Sequence, residues 1–293
     1  DVELALPALP ETSHSSSSMI FWRLRKNPKA MIGLTIVTLL LLLIAFAPLI
    51  APFDPNDGEL SLSLAPPNSV HLLGMDKNGR DVLSRLIFGA RSAVGGALLV
   101  VLISEVIGVP IGIWAAYRGG WVDELITRIW DMLLAFPPLL LAFAVVAAFG
   151  PGLEKSAIAL GILYVPFIAR VVRGVTLVQK ELTYTEAAKA MGYPSTRIVF
   201  RHILPNCLSP VIVVTTLDIA YAMLDLAALS FLGLGVQPPT ADWGTMLSEG
   251  QLVLLTSPWL AISAGFAILI AVLGFNLLGD GLRDVLDPRQ AQR

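Results

Sequence analysis

The sequence predicts an all-α integral membrane protein with about six transmembrane helices. Composition, long uncharged runs and a lopsided distribution of Lys and Arg carry the prediction. Of 293 residues, 55% are hydrophobic and 14% charged, with a mean hydropathy of +0.74. A soluble domain carries about 25% charged residues, so lipid is the expected solvent for much of this surface. Disorder, a collagenous repeat and a disulfide scaffold are excluded. The net charge of −2 gives no electrostatic footprint for nucleic acid, and the single Cys207 rules out an intramolecular disulfide or a multi-cysteine metal site.

The elements follow in chain order. Residues 1–29 read as a tail: Pro7, Pro10 and Ser15 to Ser18 suit a flexible stretch, and Arg23, Arg25, Lys26 and Lys29 follow it. Ala30 to Ala51 is the first span. It is 22 uncharged residues long, beyond the roughly 7–15 of a signal peptide's apolar region, and leads into Pro52-Phe53-Asp54-Pro55, so it is expected to remain as an anchor. In the first loop, Val82, Leu83, Leu86 and Ile87 set against Arg80, Arg85 and Arg91 suit an interfacial helix. The second span, 92–117, carries Glu105 and Pro110; the third, 132–149, opens near Pro137 and Pro138. Only 14 uncharged residues run from Ser156 to Ala169, so a fourth span over 156–178, which contains Pro166, needs Arg170 and Arg173 to snorkel to the headgroups. The fifth, 208–232, carries Asp218 and Asp225, and the sixth covers 260–279 before a tail at 280–293. Each matches the roughly 20 residues that cross about 30 Å of hydrocarbon. Trp243 and Trp259, in the last outer loop, suit interfacial anchors.

With six spans both termini share one side. That side holds 15 Lys and Arg residues against five on the other, which places the termini in the cytoplasm by the positive-inside rule.

The cytoplasmic loop 180–206 reads as structured. Thr183-Tyr184-Thr185-Glu186 fits a capping box, Ala187 to Met191 are good helix formers, and Gly192 is placed to end the helix in the left-handed conformation. A second short helix is expected from Pro194-Ser195, stopped by Leu204-Pro205. A helix this short is marginal in water and needs a surface, either a partner's groove or the protein's own membrane ends.

Carboxylates near the bilayer centre are costly by roughly 2.5 kcal/mol or more, so Glu105, Asp218 and Asp225 should face the bundle interior, a cavity or a partner. Asp218 and Asp225 are seven apart and share a helix face. That face could line a passage and attract a cationic solute, or pair with a neighbouring helix.

Glu186-Ala187-Ala188, Gly192 and Leu204-Pro205 resemble the EAA signature of permease subunits of binding-protein-dependent ABC importers. That signature's usual Ile position is His202 here, and His202-Ile203-Leu204-Pro205-Asn206 is similar to the form in the peptide and nickel permease family. Gly79-Arg80-Asp81-Val82-Leu83-Ser84-Arg85, Leu229-Ser230-Phe231-Leu232-Gly233-Leu234-Gly235 and Trp243-Gly244 resemble that family too, in its shorter, second permease. The resemblance implies a type I importer fold whose coupling helix sits in a cleft of a cytoplasmic ATPase, with Glu186, Ala187, Ala188, Met191 and Gly192 as contacts. It also implies a second homologous permease, two ATPase subunits binding ATP and Mg²⁺, an extracytoplasmic solute-binding protein, and a bacterial or archaeal cytoplasmic (inner) membrane.

The chain has no Gly-x-x-x-x-Gly-Lys-Ser/Thr loop, so no cofactor is expected on it and no catalytic residue is assigned; a partner must hydrolyse the ATP. His14, His71 and His202 are dispersed, which disfavours a nickel cluster and tilts the expected cargo toward peptides over nickel or another small solute. An ion-coupled secondary transporter using the Asp218 and Asp225 face is the alternative from another class. No inverted repeat supports it. A membrane-embedded enzyme lacks a His-rich or Ser/His/Asp constellation.

Overall fold

A computed structural model describes residues 22–286. The expected tail over residues 1–18 and the end of the 280–293 tail lie outside the described residues. Among those described, the chain is helical without named strands. Among the described residues five helices are long and apolar enough to cross a membrane, or six if a pair bent by 83° counts as one span.

Helix α1 (Pro28–Ala45) starts where Asn27 accepts hydrogen bonds from the Lys29 and Ala30 amides, with Pro28 in the first turn, and a short α2 (Ala47–Ile50) continues it. The second span is longer than expected. Helix α3 (Val82–Arg118) takes in residues 82–91, which are therefore not a separate interfacial helix. Arg85, the charge that was to face water there, is buried and donates instead to the carbonyls of Pro55 (3.0 Å) and Pro239 (3.3 Å).

The third span is replaced by two helices, α4 (Gly120–Leu134) and α5 (Pro138–Phe149), meeting at 83°. Pro137 and Pro138 deny the backbone two amide donors at that corner. Helix α6 (Leu153–Lys180) runs unbroken past Pro166, as α3 does past Pro110. A short α7 (Thr183–Ala190) and α8 (Ser195–Ile198) follow.

Leu204-Pro205 does not stop the second loop helix. A π-helical turn over Val199–Ile203 links α8 directly to α9 (Leu204–Phe231), and the Leu204 amide reaches back five residues to Val199. The wider turn delivers Pro205 to the first turn of α9, where its missing amide is not needed. Helix α10 (Trp243–Leu252) lies in the last loop and α11 (Pro258–Leu286) ends the described chain.

Small residues let these helices approach closely, as expected where lipid provides no hydrophobic drive between them. A Cβ on Gly112 would stand 2.5 Å from the Ala169 carbonyl, joining α3 to α6, and one on Gly33 would stand 2.3 Å from the Leu278 amide, joining α1 to α11. Val94, Val100, Leu160, Tyr164, Met223, Leu226 and Phe275 fill the core between α3, α6, α9 and α11. Outside it, Leu39, Leu102, Val106, Leu140 and Ile158 are exposed, the apolar coat that hydrocarbon solvates.

Candidate functional site

Helix α7 hangs below the end of α6. Its capping box is absent: Leu182, not Thr183, is the capping residue, and no side chain closes the helix start. The last turn of α6 supplies the tether instead. The Thr185 hydroxyl donates to the Gln179 carbonyl at 2.8 Å and the Tyr184 hydroxyl donates to the Gln179 side-chain oxygen, drawing the helix start one residue earlier. Asn206, at the start of α9, donates to the His202 carbonyl (2.6 Å) and to the Tyr184 hydroxyl (3.3 Å), holding α7 from its other side.

The two surfaces foreseen for this helix divide between its two faces. Thr185 and Ala188 are buried, and Ala188 packs with Ile113, Ile168, Val172, Ile198 and Ile203 on the protein's own bundle. Ala188 thus seats the helix and is not open to a partner. Glu186, Ala187, Ala190 and Met191 face outward, Met191 64% exposed, and Leu182 and Phe200 of the same loop are exposed too.

Gly192 ends the helix as its position suggested, at φ +75°. Its amide donates to Lys189 (2.9 Å) and the next amide, of Tyr193, to Ala188 (3.1 Å), the paired bonds of a Schellman motif. A Cβ there would meet nothing within 4 Å, so the glycine answers to backbone conformation, not to crowding.

Deeper in the bundle, Asp218 and Asp225 line one open cavity of about 290 Å³ together with Pro138, Tyr164, Phe167 and Tyr221. Their helical spacing brings them together as expected. The Tyr164 hydroxyl donates to Asp225 Oδ2 at 2.8 Å. Glu105, on α3, is not part of that lining; it accepts from the Thr215 hydroxyl of α9, one turn before Asp218, in an interhelical contact. Tyr164, Phe167 and Tyr221 were not foreseen, because aromatic residues in an apolar helix carry no signal of the wall they face.

Arg170 and Arg173, expected to reach toward headgroups, are both met by carboxylates of α4. Arg173 makes a two-pronged ion pair with Asp123 of α4 (2.6 and 2.7 Å), and Arg170 pairs with Asp131. Carboxylates spaced along α4 satisfy the guanidinium groups within the protein, which lipid phosphates would otherwise have to do.

At the opposite end from α7, the first and last loops are stitched together. Trp243 is buried and donates to the Leu86 carbonyl (2.8 Å), and Trp259 donates to Met75 (3.4 Å), so neither is the free interfacial anchor expected. Asp76, fully buried, pairs with Arg80 (2.7 Å) and Arg85 (3.3 Å), and Asp81 caps α3 through Ser84. Asp242 caps α10 by accepting from the Thr245 amide, and its burial holds its carboxyl above the usual value.

A multi-helix membrane bundle with a short helix outside it at one end, and a largely apolar cavity holding two carboxylates, is an architecture compatible with a transport permease. Residues 108–292 match the family described as the binding-protein-dependent transport system inner membrane component, and residues 15–67 match the N-terminal transmembrane domain of oligopeptide transport permease C. The chain is 44% identical over 92% of its length, and 88% of the relative's, to a dipeptide transport system permease protein of Alkalihalophilus pseudofirmus. It is 43% identical to a glutathione transport system permease protein of Pectobacterium atrosepticum, covering 97% of this chain and 95% of that one. A probable D,D-dipeptide transport system permease protein of Escherichia coli is 40% identical over 94% of this chain and 92% of its own. Among solved structures, the inward-facing MetNI methionine ABC transporter aligns with a TM-score of 0.57 at 19% identity, covering 69% of this chain and 96% of its own, which shows the fold. The chain belongs to the permease family of binding-protein-dependent ABC importers and is a multi-pass inner-membrane protein of type I importer fold.

Proposed function

We propose that this chain forms one half of a peptide-conducting pathway and takes its driving force from cytoplasmic ATPases through α7. The observation that carries the reading is the two-faced seating of that helix: Thr185 and Ala188 bind it to the bundle, while Glu186, Ala187 and Met191 stay open. A peg fixed on one side and free on the other transmits a push only if something grips its free side. Met191 is suited to such a groove, since its unbranched thioether adapts to irregular apolar surfaces. Gly192 sets the angle at which the chain leaves the peg. Peptide cargo is supported by relatives named for dipeptide and glutathione transport.

In this reading α7 and both termini are cytoplasmic, two ATPase subunits with ATP and Mg²⁺ hold the peg of this chain and that of a second homologous permease, and a solute-binding protein delivers peptide to the other end. No cofactor belongs to this chain. ATP binding closes the ATPases and draws the pegs together, turning the bundle outward; hydrolysis resets it. Peptide and nucleotide shift this equilibrium only by their differential affinity for the two states.

The test is a Met191→Cys variant in the whole importer, where the buried Cys207 is a poor competitor for a thiol reagent. Position 191 should cross-link to an ATPase subunit and lose that cross-link in complexes without ATPases. A cysteine at 191 that links only to this chain, with peptide uptake persisting after the ATPases are removed, would overturn the reading.

A further inference from the structure

We propose that the cavity between α5, α6 and α9 is a subsite for the cationic amino terminus of the travelling peptide, a step that rests on the importer reading above. Its wall is built from Asp218, Tyr221 and Asp225 of α9, Tyr164 and Phe167 of α6, and Pro138 at the head of α5. Two carboxylates and no Lys, Arg or His line it. Asp225 is committed to the Tyr164 hydroxyl. Asp218, half-exposed in the cavity, makes no hydrogen bond or ion pair among the described residues.

A carboxylate left without a counter-charge in a membrane bundle is expensive, and the expense is relieved when a cation occupies the space beside it. The aromatic surroundings select the kind of cation. The Tyr164 and Phe167 rings stand 6.0 Å apart at 57°, and aromatic faces attract ammonium groups. Among the described residues no group of three or more His, Cys, Asp or Glu side chains comes together as a metal-ligand set, and seven residues at 1.5 Å of rise place the two aspartates about 10 Å apart along the helix axis. The same spacing suits an ammonium group that meets first one carboxylate and then the other. The cavity, at about 290 Å³, is large enough for the amino-terminal residues of a peptide.

Free peptides carry an ammonium at one end whatever their side chains. A passage that reads only this end serves many sequences, and leaves finer selection to other components.

The experiment reconstitutes the whole importer in proteoliposomes with its binding protein and compares wild type, Asp218→Asn/Asp225→Asn and Asp218→Glu/Asp225→Glu. Uptake of radiolabelled dialanine and ATP hydrolysis stimulated by the loaded binding protein are read side by side. The Asn pair should lower uptake at least tenfold while stimulated hydrolysis stays within twofold of wild type, and the Glu pair should recover most of the uptake. Wild-type uptake by the Asn pair, or parallel loss of uptake and hydrolysis in both pairs, overturns the subsite. Wild-type complexes that neither hydrolyse ATP in response to the binding protein nor take up dialanine instead overturn the importer reading, before any variant is compared.

Discussion

Replacing Gly192 by Ala tests whether the end of α7 is held by backbone conformation. At φ +75° an L-residue brings its Cβ against its own carbonyl, which costs about 1–2 kcal/mol, whereas glycine has no such penalty. No neighbour lies within 4 Å of the new methyl, so crowding adds nothing. A penalty of 1–2 kcal/mol corresponds to roughly a 5–30-fold fall in the ratio of formed to frayed helix ends. Hydrogen exchange followed by mass spectrometry on the purified importer reads this directly. The amides of Gly192 and Tyr193, which close the Schellman motif on Lys189 and Ala188, should exchange 5–30-fold faster in Gly192→Ala. Exchange within α6 should not change. Gly192→Asn should lose much less, since Asn tolerates the left-handed region. Equal exchange in wild type and the Ala variant would refute the conformational argument. Asn as damaging as Ala would mean that the bare glycine surface, not its backbone, is what matters.

Trp243→Phe removes the donor to the Leu86 carbonyl while keeping most of the ring, and should destabilise the detergent-solubilised protein by about 1–3 kcal/mol, read as a lower midpoint in thermal unfolding. Arg173→Met strands Asp123, so the single variant should unfold at lower temperature than the double variant Arg173→Met/Asp123→Asn; additive losses would show the pair to be uncoupled. Asp242 has a folded-state pKa above its ordinary 3.8, so the folded protein binds its proton more tightly than the unfolded one. Its contribution to stability is present below 3.8 and is lost as pH rises through the folded value. Asp242→Asn keeps a capping side chain and should flatten that part of the thermal stability profile against pH.

The membrane helices were legible because hydrocarbon imposes a length and forbids charge, and both are written along the chain. Gly192 was legible for a related reason: a helix end needs a left-handed residue, and only one candidate stood there. The acid face of Asp218 and Asp225 followed from helical periodicity. What failed were assignments that treated a charged or amphipathic side chain as needing water or headgroups. Arg85, Trp243 and Trp259 all find partners on segments distant in the chain. The capping box failed because Gln179, in the preceding helix, competes for the same turn.

By itself the sequence determined that this is a helical membrane bundle, where most of its long apolar helices fall, and that a short helix ended by glycine lies outside it. Those features depend on local periodicity and transfer of single segments into lipid. The tertiary structure alone decided which face of α7 is seated and which is free, which aromatic rings join the two aspartates around a cavity, and which carboxylate answers each arginine. Such pairings join residues tens to hundreds of positions apart, and their energies exist only once the helices have packed.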